Sequence, residues 1–200
     1  MMEGGGGGGG MREVVVRRGS VDDLAAIVGL TKALAYETES GLQLETELVE
    51  RGVSCGLQPR GGSSDAGGDG DDGEAGKGPD LRPMYWVAVR GDERVGFIGV
   101  SPEWSDWWAT SYWWVISFFV DAKWRRRGVA TEMFKAMQRD AEASGVQTIN
   151  LRVEEGNTGA QAFYRKIGFA IDRSHLIMSC GRKPDGQHVG STAAASPKEK

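Results

Sequence analysis

The segment from Val120 to Thr131 is the part of this sequence that most constrains its fold. An apolar run, Trp113 to Phe119, precedes the segment, and an amphipathic helical pattern follows it. This order predicts a buried strand, a short basic turn and a helix. A helix N-terminus presents unpaired backbone N–H groups and the positive end of the helix dipole, and therefore attracts anions. Because Gly128 would let an anion reach the backbone, the segment predicts a pyrophosphate-binding turn.

The pattern of this turn excludes two common phosphate-binding loops. No Gly-Lys-Ser/Thr follows the glycine, as a Walker A loop requires, and the dinucleotide fingerprint Gly-x-Gly-x-x-Gly is missing. The spacing Arg125-x-x-Gly128-x-Ala130 resembles instead the Arg/Gln-x-x-Gly-x-Gly/Ala signature of the GNAT superfamily of N-acetyltransferases. In that family, this loop holds the pyrophosphate of acetyl-CoA.

A second segment is similar to another motif of the same family. The chain carries the pattern Asn-x-x-Ala-x-x-Phe-Tyr-x-Lys-x-Gly-Phe from Asn157 to Phe169. It follows the basic turn after one predicted helix and one predicted strand, which is the order that the family shows. The resemblance covers Trp113 to Met178, whereas residues 1–100 match only as a general pattern.

The resemblance implies an acetyl-CoA site built from both motifs. Backbone N–H groups from Arg125 to Thr131 would bind the pyrophosphate, and the end of the preceding strand would pair with the pantetheine arm. Asn157 would contact the same arm if Thr158 caps the following helix; as an isolated residue, Asn157 could instead be the cap. The residues implicated in acetyl-CoA binding are Phe118, Phe119, Val120, Arg125, Arg126, Arg127, Gly128, Val129, Ala130, Thr131 and Asn157.

The resemblance also implies a catalytic acid and leaves the base open. Tyr164 takes the position of a family tyrosine that protonates the departing CoA thiolate. Many relatives carry a general-base glutamate on the fourth strand, but here that position is Ile116. The amine could arrive already neutral, or another carboxylate could act directly or through water. The alternative carboxylates are Glu37, Glu39, Glu103 and Asp106.

Two parts of the sequence are candidates for binding the acceptor. The polar break at Glu37 and Glu39 falls where the family has its substrate loop. Five tryptophans crowd one hairpin region, and they favour either a packing cluster, including a homodimer contact, or an aromatic wall for a cationic amine. Trp104 and Asp106 of this region join the two glutamates as candidate substrate-binding residues. The tryptophans are Trp104, Trp107, Trp108, Trp113 and Trp114.

Hydrophobic periodicity predicts an α/β fold. The predicted strands are Val14–Val16, Met84–Val89, Val95–Val100, Trp113–Val120, Ile149–Val153 and Phe169–Met178. The predicted helices begin after Ser20, at Glu45, after Gly128 and at Thr158; they end near Tyr36, Gly52, Gly145 and Gly168. Crossovers imply parallel strands, and the Gly91-Asp92 turn implies a hairpin. The result is a mixed, mostly antiparallel central sheet with a parallel splayed pair at its centre and helices on both faces, which agrees with the GNAT fold.

Composition limits the part of the 200 residues that can fold. The glycine-rich residues 1–10, an acidic Gly-rich insert at about 59–81 and the polar tail at 179–200 contain few large apolar residues, so we expect disorder or flexibility there. We therefore expect one acetyltransferase domain at 11–178, interrupted by the insert.

Net charge and cysteine content limit the cellular compartments and the classes of binding partner that we expect. A net charge of −4 with only local basic residues argues against nucleic-acid binding. The two cysteines, Cys55 and Cys180, form neither a disulfide framework nor a metal-binding pattern, and no long apolar span indicates a membrane segment. We expect a cytoplasmic protein, with the nucleus as the alternative, that uses acetyl-CoA as co-substrate and no metal.

These features predict an enzyme that moves an acetyl group from acetyl-CoA to a primary amine by direct attack in a ternary complex. The acceptor would be a small-molecule amine. One alternative is a protein-lysine acetyltransferase. The other is a GNAT-fold module that binds acyl-CoA without turnover, which the missing glutamate at Ile116 favours.

Overall fold

A computed structural model describes residues 13–38, 42–59 and 80–174 of the chain. These residues form two compact units, which divide between Glu154 and Glu155. The second unit contains one helix, α4 (Thr158–Lys166). In chain order, the first unit contains β1 (Val15–Arg18), a 3₁₀ helix (Val21–Asp23), α1 (Leu24–Thr38), α2 (Thr46–Leu57), β2 (Met84–Arg90), β3 (Glu93–Ser105), β4 (Thr110–Val120), a second 3₁₀ helix (Ala122–Trp124), α3 (Val129–Ala143) and β5 (Ile149–Leu151).

The five strands form one mixed sheet in the order β1-β2-β3-β4-β5. The first four strands pair antiparallel with their neighbours, and β4 pairs with β5 in parallel. Gly91, at φ 61°, makes the predicted turn between β2 and β3. The predicted mixed, mostly antiparallel sheet is therefore confirmed, and its parallel pair lies at the β5 end of the described strands.

Residues along each strand alternate between the two faces of the sheet. Helices cover both of these faces. On one face, α1 and α2 pack over a buried apolar core that includes Tyr85, Val87 and Phe97. On the other face, α3 packs against the first four strands. There the indole N–H of Trp86 donates to Asp140 at 2.8 Å. This α/β arrangement places the N-terminus of α3 beside the end of β4.

A buried carboxylate fixes the entry to α1. Asp23 Oδ2 accepts the backbone N–H of Ser20 at 2.9 Å, as the predicted helix start requires. Arg17 donates to both carboxylate oxygens at 2.6 and 3.0 Å, and Arg94 Nε donates to Oδ1 at 2.9 Å. Burial by itself would raise the pKa of Asp23, but the hydrogen bonds from Arg17, Ser20 and Arg94 together hold that pKa well below its ordinary value.

Several predicted elements differ from the observed ones at their ends, and three of these differences are large. The helix α2 continues past Gly52, because Val53 and Leu57 are buried and their packing outweighs the cost of a glycine in a helix. The strand β3 extends to Ser105, since β4 pairs with it along that whole length. The predicted closing strand is absent from residues 169–174, the part of it that the structure describes.

Several predictions fall outside the described residues. They concern the glycine-rich residues 1–10, residues 60–79 of the insert, the end of the predicted closing strand and the tail at 179–200. Among the residues that are described, no helix is long and apolar enough to cross a membrane.

Candidate active site

The predicted strand–turn–helix segment is confirmed. After β4 ends and a 3₁₀ helix follows, α3 begins at Val129. Two residues of the turn have left-handed backbone conformations, Arg126 at φ 62° and Gly128 at φ 83°. A Cβ atom added to Gly128 would meet no heavy atom of the described residues within 4 Å. The N-terminus of α3 is therefore open on this side and can present backbone N–H groups to an anion.

Arg125 is engaged within the protein. Its Nε donates to the carbonyl of Val120 at 2.8 Å, and its Nη2 donates to Glu37 Oε2 at 2.6 Å. Its guanidinium carbon lies 5.2 Å from the ring centroid of Phe119. Its backbone N–H donates to the preceding 3₁₀ helix at 3.3 Å. The side chain connects the end of β4 with α1, so this arrangement favours residues 126–131 as the ligands of an anion.

Arg127 is held beside the turn by an aromatic ring. The indole of Trp124 contacts both Arg90 and Arg127, whose guanidinium carbons lie 4.5 and 5.1 Å from the ring centroid. Cation–π contacts of this kind restrict where a guanidinium group can point. Arg127 is thus positioned next to Gly128 by contacts within the protein.

The strands β4 and β5 separate after a short paired stretch. Their register covers only Trp113–Val115 against Ile149–Leu151, while β4 continues to Val120. An extended ligand could therefore run beside the end of β4 by main-chain pairing. Within that end, the side chains of Phe119 and Val120 are buried.

A β-bulge lies where the two strands separate. Gly99 pairs with Ser117, but the next pair joins Val100 to Val115, which leaves Ile116 as the extra residue of β4. Ile116 is 50% exposed. The prediction of a buried strand is therefore wrong at this position.

The structure does not single out a general base. Glu37 is paired with Arg125, and Glu103 Oε2 accepts the indole N–H of Trp114. Asp106 is exposed in the turn between β3 and β4, and Glu39 lies outside the described residues.

The tryptophans of the hairpin have different environments. Trp113 is buried and packs against Trp86, with ring centroids 5.6 Å apart, so it belongs to the core. Trp107 and Trp108 are 87% and 71% exposed in the turn, and Trp104 is also exposed. The predicted packing cluster therefore describes Trp113, whereas Trp104, Trp107 and Trp108 offer an exposed aromatic surface.

In the second unit, Asn157 caps α4. Its Oδ1 accepts the backbone N–H of Ala160 at 3.0 Å, and the helix begins at Thr158. The expectation that Thr158 is the cap is wrong, because the asparagine offers a good acceptor one residue earlier. The side chain of Gln161 donates to the carbonyl of Glu155 at 2.8 Å.

Tyr164 is half-buried on α4 and lies near two aromatic rings. Its ring centroid is 5.6 Å from that of Phe163 and 5.8 Å from that of Phe169. Burial raises the pKa of Tyr164 above its ordinary value, so the hydroxyl keeps its proton at neutral pH. The helix ends as predicted at Gly168, which adopts φ 105°.

Two contacts near the turn were missed by sequence reasoning, namely Glu37 with Arg125 and Arg90 with Trp124. In each pair, the partner comes from a helix or strand that is distant in sequence. No local pattern signals such a contact, and only the tertiary fold shows it. Among the described residues, no group of three or more His, Cys, Asp or Glu side chains is placed to hold a metal ion.

Comparison with known proteins identifies the chain at the level of the family. The model of the Acetyltransferase (GNAT) family matches residues 68–169, which span both motifs. No protein of curated function matches the sequence.

Solved structures of acetyltransferases have a similar fold. A possible acetyltransferase from Clostridium difficile 630 is 23% identical with a TM-score of 0.66, over 83% of this chain and 96% of that one. An aminoglycoside acetyltransferase from an uncultured soil metagenomic sample is 14% identical with a TM-score of 0.61, over 85% and 97%. A ribosomal-protein-alanine N-acetyltransferase from Brucella melitensis biovar Abortus 2308 is 15% identical with a TM-score of 0.59, over 84% and 99%. At these identities the likeness shows the fold alone, whereas the family model matches about half of the chain. The chain belongs to the GNAT family of acetyltransferases.

Proposed function

We propose that this protein is an enzyme that transfers the acetyl group of acetyl-CoA to a primary amine. The observation that carries the proposal is the open turn at Gly128, which leads from β4 into α3. A pyrophosphate there would meet backbone N–H groups, the positive end of the helix dipole and the nearby Arg127. Any side chain at this glycine would occupy the approach, so the turn fits the ligand that the family uses.

The geometry of β4 supports a path for the rest of the coenzyme. Because β5 ends at Leu151 while β4 continues, Phe118 to Val120 can accompany an extended pantetheine arm from the turn back toward Ile116. A backbone N–H near the bulge would polarise the thioester oxygen. Asn157 uses Oδ1 to cap α4, so its Nδ2 group is the part that would contact the arm.

The reaction needs one nucleophile and one acid. The amine nitrogen attacks the acetyl carbonyl carbon, the N–C bond forms, and the C–S bond breaks with its electron pair on sulfur. Tyr164 donates its hydroxyl proton to that sulfur and is reprotonated by solvent. The nitrogen loses its own proton to solvent. An amine that arrives neutral needs no carboxylate at position 116.

A small-molecule amine is the acceptor that we favour. Two structural neighbours are named for amine acceptors, an aminoglycoside and the alanine of a ribosomal protein. The exposed tryptophans and carboxylates of the β3–β4 hairpin would suit a small cationic molecule. The replacement of a carboxylate by Ile116 instead favours the second candidate function, a module that binds acyl-CoA without turnover.

Release of the CoA thiol from acetyl-CoA tests these functions. The panel contains small primary amines, aminoglycosides and lysine-containing peptides, and calorimetry measures acetyl-CoA binding in parallel. We expect release with small amines. Release with peptides alone would identify a protein-lysine acetyltransferase. Tight binding of acetyl-CoA without release for any member of the panel would identify the binding module.

A further inference from the structure

One face of the β3–β4 hairpin brings a carboxylate, an indole and a guanidinium group into contact. The indole N–H of Trp114 donates to Glu103 Oε2. The guanidinium carbon of Arg152, just after β5, lies 4.8 Å from the ring centroid of Trp114. We call Glu103, Trp114 and Arg152 the hairpin patch.

The hairpin patch lies on the same face of the sheet as Ile116. Trp114 pairs with Ser101, two residues along β3 from Gly99, and residues two apart share a face. A Cβ atom added to Gly99 would lie 3.5 Å from Cγ1 of Ile116, so that side chain is on the same face. The hairpin patch and Ile116 therefore share one face of the sheet, and the patch lies farther along β4 from the bulge.

The carboxylate of the patch is not neutralised within the described part of the chain. Glu103 is exposed, and among those residues it forms no ion pair. Its Oε2 accepts the indole N–H, which orients the carboxylate, while Oε1 accepts no hydrogen bond from a described residue. Arg152 contacts the ring rather than the carboxylate. An oriented carboxylate at the edge of an aromatic ring is a complementary site for an ammonium group.

We propose that the hairpin patch binds the second positive charge of a diamine or polyamine acceptor. The inference rests on the proposed function, which places the acetyl group near Ile116. The rise of ~3.3 Å per residue puts the patch roughly 7 to 13 Å farther along β4. An extended diamine or polyamine spans such a distance, with one nitrogen at the acetyl group and another at Glu103.

Substitution of Arg152 tests the inference, because the direction of its effect on diamine use can be predicted. It lies on the ring of Trp114 that an incoming ammonium group would contact, and it repels that group. Removing Arg152 should therefore improve the use of a diamine. If the three residues only supported the fold, removing Arg152 would improve nothing.

The experiment compares α,ω-diamines of increasing chain length with monoamines of the same carbon number, using kcat/KM from CoA release. We expect a preference of about tenfold for diamines of suitable length, equal to ~1.4 kcal/mol. Glu103→Gln should reduce the ratio of diamine to monoamine kcat/KM, and Arg152→Ala should increase it. Glu47→Gln, an exposed carboxylate of α2, is the matched control and should leave the ratio unchanged.

The outcomes separate this inference from the proposed function. Equal kcat/KM for diamines and monoamines, or a ratio that falls in Arg152→Ala, would overturn the inference and leave the acetyltransferase intact. Absence of release with every amine would instead contradict the proposed function. In that case, calorimetry measures whether a diamine binds to the CoA-bound protein. If the diamine does not bind, or if Glu103→Gln does not weaken its binding, the inference is overturned as well.

Discussion

Arg125 Nη2 lies 2.6 Å from Glu37 Oε2, and this contact joins the turn after β4 to the last turn of α1. The same guanidinium donates to the carbonyl of Val120, the last residue of β4. Arg125 thus fixes the end of β4, where the basic turn begins. We infer that its main role is to position the turn, while the residues that follow it bind the anion.

The side-chain contacts of Arg125 should contribute differently to stability. Exposed ion pairs contribute about 0.2–1 kcal/mol, so Glu37→Gln should lower the free energy of unfolding by less than about 1 kcal/mol. Arg125→Ala should cost more, because it also removes the hydrogen bond to Val120 and the contact with Phe119. Urea denaturation measures both variants. Equal losses would show that the contacts with β4 contribute nothing.

Gly128→Glu should abolish acetyl-CoA binding, because it places bulk and negative charge where the pyrophosphate is proposed to lie. Gly145→Glu is the matched control, since Gly145 also has positive φ and open surroundings among the described residues, but at the other end of α3. Both variants should lose about 1–2 kcal/mol of stability from the left-handed backbone. Calorimetry should show lost affinity only at Gly128. Full affinity in Gly128→Glu would contradict the assigned site.

Asp23 should make the stability of the protein depend on pH in the acid range. Its folded pKa lies below the unfolded value of ~3.9, so its contribution is present above about pH 4 and is lost as the pH falls through the folded pKa. At neutral pH, Asp23→Ala should lower the free energy of unfolding by about 3 kcal/mol, because Arg17 and Arg94 lose their shared partner.

Urea titrations from neutral into acid pH measure this effect. The difference between wild type and Asp23→Ala should shrink below about pH 4. Asp22→Ala, at the exposed neighbouring position, is the matched control. A difference for Asp23→Ala that is constant with pH would mean that the carboxylate acts through packing alone.

Local signals were sufficient for much of the fold around the turn. Gly91, Gly128, Gly145 and Gly168 all have positive φ, and all four lie at predicted ends of helices or strands. Because few other residues tolerate this conformation, a glycine between two periodic segments indicates a boundary directly. The apolar run of β4 was equally informative, since its length and composition favour a central strand.

Other features depend on contacts that the local sequence does not contain. Gly52 fails to end α2, because burial against the sheet stabilises the helix beyond it. The bulge at Ile116 depends on the register with β3, and register is a property of two strands. The orientation of Arg125 depends on Glu37, which lies 88 positions earlier. The sequence therefore predicted the backbone of the basic turn correctly, but it did not predict the contacts of the side chains in that turn.

Tyr164→Phe tests the catalytic assignment, because it keeps the aromatic ring and removes the proton that would be given to sulfur. We expect kcat to fall by ~10²-fold or more, a typical contribution of general acid catalysis. The affinity for acetyl-CoA should barely change, since the hydroxyl acts as charge develops on sulfur. Tyr36→Phe, an exposed tyrosine on α1, is the matched control and should keep full kcat.

The pH profile of kcat separates an acid from a structural tyrosine. Burial raises the pKa of Tyr164 above the ordinary value of ~10, so on the alkaline side the wild-type enzyme should lose activity as the pH rises through that raised pKa. Tyr164→Phe should lack this alkaline limb, because it has no proton to lose there. On the acid side, an enzyme without a base at Ile116 should follow the pKa of the acceptor amine itself, and the limb should move when the amine is changed. If the alkaline limb persists in Tyr164→Phe, another group protonates the thiolate and the assignment of Tyr164 fails.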